Sequence, residues 1–190
     1  MRPILVGIPT LNEAKNVERM VERLRSLSLA IDLLFIDDSS QDGTGEILDQ
    51  LAARFDFLRV IHRPPFSGIG SAHQAILNYA YEHGYQTLIT MDCDFSHQPE
   101  DLPRLLQEQS KKALVVGSRF LDENSLADWN LKRKFLTHLG HWLTSRLLGL
   151  PMDATGAFRL YRLDQIPRAL WERVRSPGYA FFFESLVFLK

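Results

Sequence analysis

The sequence predicts an α/β domain built on a mainly parallel central sheet with helices on both faces. Short apolar runs alternate with segments of helical spacing, and the runs are apolar at consecutive positions rather than at every second one. A strand that is apolar on both sides must be covered on both sides, which a doubly wound layered sheet provides. Charged and small polar residues also gather directly after the runs, where such sheets bind ligands.

The strands are expected at ILVGIP (4–9), IDLLFID (31–37), FLRVIH (57–62), TLITMD (87–92) and ALVVGS (113–118), each bounded by polar or turn residues. Between them, Val17, Met20, Val21 and Leu24 fall on one helical face, as do Ile47, Leu48 and Leu51, and then Ala72, Ala75, Ile76 and Tyr79. Asn12 is expected to cap the first helix, with Glu13 in its first turn. After Phe120 the alternation stops. From Trp129 to Leu148, Phe135, Leu139, Trp142, Leu143 and Leu147 are spaced as one helix face with Lys132, Arg133, Lys134 and Arg146 beside it, which suits either core packing or a lipid interface.

The 190 residues, 45% of them hydrophobic, suffice for one core, so a single domain over 1–190 is expected, with the regular alternation confined to residues 1–120 and a more irregular half over 121–190. A formal net charge of −1 supplies no field for nucleic acid. The single cysteine, Cys93, allows no internal disulfide, and MRPILVGIPT lacks the features of a signal peptide, so a reducing, cytoplasmic setting is expected. The chain stops inside YAFFFESLVFLK, which reads as a truncation within an apolar segment of a longer protein.

The predicted strand ends converge on Glu13, Asp37, Asp38, Asp92, Asp94 and Arg119. In MDCDFSHQPE, Asp92 and Asp94 lie two apart, so in an extended segment both face the same way while Cys93 faces elsewhere. Paired carboxylates at a strand mouth repel each other, and a hard divalent cation, Mg²⁺ or Mn²⁺, would relieve that while leaving coordination positions for phosphate oxygens. The competing structural role is that Asp94, with Ser96, caps a helix beginning at Pro99. GIGSAH (68–73) lacks the third glycine of a dinucleotide fingerprint, and neither GK[ST] nor a nucleophile elbow occurs.

Six stretches in order, IPTLNEAKN, IDDSSQDGTGEIL, GIGSAHQAIL, MDCDFSHQPEDLPRLL, VVGSRF and DATGAFRLYR, resemble glycosyltransferase family 2, and within it the polyprenol (dolichol) phosphate mannose synthases. The resemblance implies the GT-A nucleotide-diphospho-sugar transferase fold, and a metal-dependent inverting transfer of mannose from GDP-mannose to a polyprenyl phosphate. UDP-glucose or another donor, and a non-catalytic nucleotide-sugar-binding fragment, remain alternatives. It places Pro9, Leu11, Glu13, Ile36, Asp38, Asp92, Cys93, Asp94 and Arg119 around the nucleotide sugar, with Asp92, Asp94 and Arg119 catalytic and Asp92, Asp94 and Ser96 as metal ligands. Arg133, Thr137, Asp153 and Arg159 are expected around the acceptor phosphate, and a lipid acceptor implies peripheral membrane contact or a membrane-anchoring segment or subunit. Leu11, Ser67, Ser96, Gly156 and Ala157 depart from the family's usual residues.

An acceptor phosphate is already anionic near neutral pH, so it needs holding rather than deprotonating; Arg133, Arg159 and Arg162 are the candidate holders. A hydroxyl acceptor would need a base instead, for which Asp153 is the candidate.

Overall fold

The structure is a computed structural model that describes residues 3–65, 67–109, 112–118, 146, 149 and 153–189. Its elements in chain order are β1 (Ile4–Thr10), α1 (Val17–Ser26), β2 (Ile31–Asp37), α2 (Thr44–Arg54), β3 (Leu58–His62), α3 (Ile69–Glu82), β4 (Thr87–Thr90), α4 (Leu102–Glu108), β5 (Leu114–Val116), β6 (Arg159–Arg162) and α5 (Ala180–Leu189). Short 3₁₀ turns at Pro99–Asp101 and Arg168–Arg173 precede α4 and α5. The expected helix over 129–148 lies outside the described residues, apart from Arg146.

The strands form one sheet in the order β3-β2-β1-β4-β6-β5. The first four are mutually parallel, and β6 runs antiparallel to both β4 and β5. The sequence reading missed β6 because its four residues, RLYR, are bounded by arginines and carry no long apolar run. Its position means that residues from late in the chain complete the sheet begun by the first half.

Consecutive strand residues divide between two cores, which is why the runs are apolar without alternation. Val6, Leu33, Phe35, Ile89 and Leu160 face α1, α2 and α4, packing on Val17, Met20, Leu24, Leu48 and Leu102. Their neighbours Leu5, Leu34, Ile36, Leu88 and Tyr161 face α3 and α5, packing on Ala72, Ile76, Ala80, Phe181 and Phe182. Each such fully buried side chain contributes roughly 1.5–3 kcal/mol over its exposed state, enough in sum to fix the register of every strand. In α5, Phe181, Phe182 and Leu186 are buried, while Val187 is exposed, so the chain itself covers most of the terminal apolar segment.

Candidate active site

The carboxyl ends of β1, β2 and β4 open on a crevice of about 850 Å³. Two loops form one wall and are stitched together across it. Backbone Asn12 N–H donates to Ser40 Oγ at 2.8 Å, Gln41 N–H to Asn12 Oδ1 at 2.9 Å, Glu13 N–H to Thr44 Oγ1 at 2.8 Å and Ala14 N–H to Asp42 Oδ2 at 3.0 Å. Asn12 is therefore not a helix cap: α1 starts at Val17, and the Asn12 amide is spent on the neighbouring loop in a left-handed conformation, φ 59°. Leu11, 59% exposed, projects into the crevice beside Pro9.

Glu13 precedes α1 and accepts from Asn16 Nδ2 at 2.6 Å. Burial raises its pKa, and the charges of Asp94, Asp42 and Asp92 raise it further against the Asn16 hydrogen bond. The site is thus electrostatically overloaded with negative charge.

The two aspartates ending β2 part company. Asp37 is buried and shapes the turn, accepting from Ser40 Oγ at 2.6 Å and Ser40 N–H at 3.2 Å. Asp38 lines the crevice, held by Arg63, whose Nε and Nη2 reach its two oxygens at 2.7 Å each. Arg63 escaped the sequence reading because it sits beyond β3, 25 residues from its partner, in a segment with no polar motif. The Ile36 side chain, expected at the nucleotide, is wholly in the core instead, since its strand position faces α3.

After β4, the chain carries Asp92 and Asp94 into the crevice with buried Cys93 between them. Burial pushes the Cys93 thiol well above its usual range, which disfavours the nucleophilic thiolate. Backbone Asp92 N–H donates to His97 Nδ1 at 3.0 Å, and the imidazole stacks on Phe158, ring centroids 5.2 Å apart. Asp94 Oδ1 accepts Ser96 N–H at 2.9 Å, an Asx turn ahead of the Pro99–Asp101 turn. Asp94 stays exposed with only Oδ1 engaged in that turn, so turn-making and ligand binding are compatible.

From late in the chain, Thr155, Ala157, Tyr179 and Phe182 also line the crevice. Asp153 is buried and its Oδ1 accepts from Thr155 Oγ1, Thr155 N–H and Gly156 N–H at 2.9, 3.1 and 3.2 Å, which makes it the organiser of this turn. Arg159 corrects the sequence expectation. It is fully buried, donating from Nε to Gly156 O, from Nη1 to Ser185 Oγ and from Nη2 to Ala154 O and Phe182 O at 2.8–3.1 Å, so its guanidinium ties the turn to α5 rather than facing an acceptor. Arg162 likewise pairs with Asp164 at 2.7 Å. Arg119, Arg133 and Thr137 lie outside the described residues.

The GIGSAH glycines serve packing. A Cβ on Gly70 would stand 2.5 Å from Gly178 O and 2.6 Å from Ser176 O, and Ser71 N–H donates to Pro177 O at 3.0 Å. The 176–178 loop can therefore press on the start of α3 and carry Tyr179, 77% exposed, to the crevice.

Among the described residues no three carboxylates, histidines or cysteines form a closed metal cage. The donor set present, Asp92 and Asp94 in one crevice whose charge already disfavours Glu13 ionisation, fits a hard cation that takes its remaining ligands from phosphate and water.

Residues 5–187 match the family described as Glycosyl transferase family 2. The chain is 37% identical over 179 residues to the undecaprenyl-phosphate mannosyltransferase of Micrococcus luteus, covering 94% of this chain and 74% of that protein. It is 36% identical over 180 residues to the polyprenol monophosphomannose synthase of Mycolicibacterium smegmatis, covering 93% and 68%. Among solved structures, the fold resembles the mannosyltransferase PcManGT of Pyrobaculum calidifontis, in complex with GDP-Man and Mn²⁺, at TM-score 0.55 and 17% identity, and S. aureus TarS 1-349 at 0.59 and 16%. The likeness covers 90% and 96% of this chain but only 46% and 54% of those chains. With Asp92 and Asp94 in a crevice at the strand ends and a family match over nearly its whole length, the chain belongs to glycosyl transferase family 2.

Proposed function

We propose that this chain moves a mannosyl group from GDP-mannose to a polyprenyl phosphate. The observation that carries this reading is the crevice itself, which is lined by Asp92 and Asp94 together with an Asp38 already neutralised by Arg63. The relatives named as polyprenyl-phosphate mannose transferases supply the substrate class.

In this mechanism Asp38 and Leu11 hold the nucleoside end, while Asp92 and Asp94 meet the diphosphate. Mg²⁺ or Mn²⁺ on Asp92 and Asp94 would offset the charge that grows on the leaving diphosphate. An acceptor phosphate oxygen attacks the anomeric carbon from the face opposite the leaving group; as that bond forms, the sugar–phosphate C–O bond breaks and its electron pair leaves on GDP, inverting the centre. No base is required because the nucleophile is already anionic. Asp153, accepting from Thr155 and Gly156, then serves to hold the turn at the acceptor side.

A lipid acceptor sets the reaction at the cytoplasmic surface of a bilayer. No helix among the described residues is long and apolar enough to cross one.

The test is initial-rate transfer of radiolabelled sugar from GDP-mannose and, separately, UDP-glucose to a short polyprenyl phosphate, with and without Mn²⁺. Labelled lipid from GDP-mannose alone, abolished by chelation and by Asp94→Ala, is the expected result. Transfer from UDP-glucose would replace the donor, metal-independent transfer would remove the cation, and no transfer from either donor would sink the reading.

A further inference from the structure

The residue after Asp94 is in a backbone conformation that it should avoid. Phe95 has φ 62°, a left-handed value that a bulky aromatic side chain seldom adopts, and such strain persists only where the surroundings over-determine it. The half-buried Phe95 ring packs on the edge of the core that holds Val17, Met20 and Leu102, and over it lie two arginines of α1. Arg19 and Arg23, one helical turn apart, set their guanidinium carbons 4.9 and 5.0 Å from the centre of the Phe95 ring.

Arg23 also grips the loop from its other end. Its Nε donates to Glu100 Oε1 at 2.9 Å and its Nη2 to Gln98 Oε1 at 2.8 Å and to Glu100 Oε2. Gln98 Nε2 in turn donates to the Phe95 carbonyl at 2.5 Å. Phe95 is thus held by its ring from one side and by its carbonyl through Gln98 from the other, with Arg23 common to both. The α1 core contacts do not need Arg23, because Val17, Met20, Val21 and Leu24 already bury the opposite face of that helix.

We propose that Arg23, assisted by Arg19, is a positioning residue: by latching Phe95 in its left-handed conformation it fixes the loop bearing Asp92 and Asp94 in the geometry that receives the sugar diphosphate. The inference rests on the crevice being a nucleotide-sugar site. It adds a contact from outside the crevice, since neither arginine lines it.

Amide hydrogen exchange across residues 93–98, thermal melting and transfer kinetics on the full chain test the latch together. In Arg23→Ala, exchange at these amides speeds up about tenfold, kcat falls about tenfold and donor KM moves less than about threefold, the pattern of a lost transition-state geometry. Arg23→Lys keeps a cation over the ring without the fork to Gln98 and Glu100, and gives an intermediate rate. Phe95→Leu lowers kcat as Arg23→Ala does, and the double variant is no worse than either, because both break one latch. Phe95→Gly relieves the backbone strain but also removes the half-buried ring, so the two effects oppose each other and melting falls less than in Phe95→Leu, while kcat still falls. Unchanged exchange in Arg23→Ala overturns the proposal, as does a kcat within about twofold of an active wild type. A wild type inactive with every donor would instead show the functional reading to have failed, and faster exchange in Arg23→Ala would still establish that Arg23 sets this loop.

Discussion

Arg63 and Asp38 meet as a two-pronged ion pair, Nε to Oδ1 and Nη2 to Oδ2 at 2.7 Å each, with 12% and 13% of their side chains exposed. Arg63 uses its remaining donors on Ser71 Oγ at 2.9 Å and Gly68 O at 3.3 Å, so one guanidinium joins the β2 wall of the crevice to the start of α3. The planar fork suits a carboxylate in a way that an ammonium cannot.

Arg63→Ala is expected to cost about 1–3 kcal/mol of stability, because it strands a largely buried carboxylate. It should also weaken GDP binding about tenfold, since an unpaired Asp38 loses the orientation with which it holds the nucleoside end. Urea unfolding and titration calorimetry measure the two effects. Adding Asp38→Asn to Arg63→Ala should recover stability without recovering affinity, and an undiminished affinity in the single variant would show that Asp38 needs no holder.

His73 is buried on α3 against Phe181 and Phe182, and neither ring nitrogen has a hydrogen-bond partner among the described residues. Burial lowers its pKa to about 3, with Arg159 adding a smaller push in the same direction. The folded state therefore refuses a proton that the unfolded state accepts below about pH 6.5. Stability falls as pH drops from that value, by up to about 1.4 kcal/mol per unit, until the folded pKa is reached. His73→Leu, which removes both unsatisfied nitrogens at similar volume, should be as stable as wild type or more so at pH 8 and gain about a further 2 kcal/mol of advantage at pH 5. Parallel urea midpoints at the two pH values decide it, and an identical pH dependence in both proteins would contradict the assignment.

The parts that were legible in the sequence share a physical cause. Runs such as IDLLFID must be covered on both faces, and β2 spans Ile31–Asp37 as that run predicts. Asp92 and Asp94 were legible because two carboxylates following a buried strand have few purely structural uses, and both line the crevice. Arg63 and β6 were not, because a pair 25 residues apart and a four-residue strand made by pairing leave no local pattern. Arg159 misled for a related reason. An arginine beside a motif reads as a ligand contact, yet enclosed carbonyls can satisfy a guanidinium completely, and here they come from Ala154, Gly156 and Phe182.

Two glycines near the crevice mouth should respond oppositely to the same methyl group. On Gly70 it would meet Gly178 O at 2.5 Å, Ser176 O at 2.6 Å and Phe181 Cβ at 2.8 Å, and backbone on two sides cannot step aside cheaply. Gly70→Ala is expected to destabilise by about 1–3 kcal/mol. Donor binding should weaken with it, because the loop that must retreat carries Tyr179. On Gly178 the methyl meets nothing within 4 Å, so Gly178→Ala should melt within a degree or two of wild type, a stability change of about 0.5 kcal/mol or less. Thermal melts and GDP titrations of both variants check this, and a benign Gly70→Ala would mean the 176–178 loop is not pressed on α3.

The sheet order bears on whether residues 1–120 can form a nucleotide-binding unit alone, as the distribution of motifs along the sequence suggests. Strand β5 reaches the sheet only through β6, which lies between it and β4. Leu160 and Tyr161 of β6 plug opposite cores, and Thr90 Oγ1 at the end of β4 donates to Ala157 O at 2.6 Å. Removing residues after 120 therefore detaches β5, bares the edge of β4 immediately before Asp92, and uncovers the side of α3 that packs on α5. An exposed edge and an opened core together favour association over a unique fold. A 1–120 fragment is expected to melt without a cooperative transition, to self-associate, and to bind GDP at least about tenfold more weakly than the full chain, a loss of about 1.4 kcal/mol. Circular dichroism melts, sedimentation and calorimetry report on the three. A monomeric fragment that melts cooperatively and binds GDP within about threefold of the full chain would show that β6 completes the sheet without being needed for the crevice.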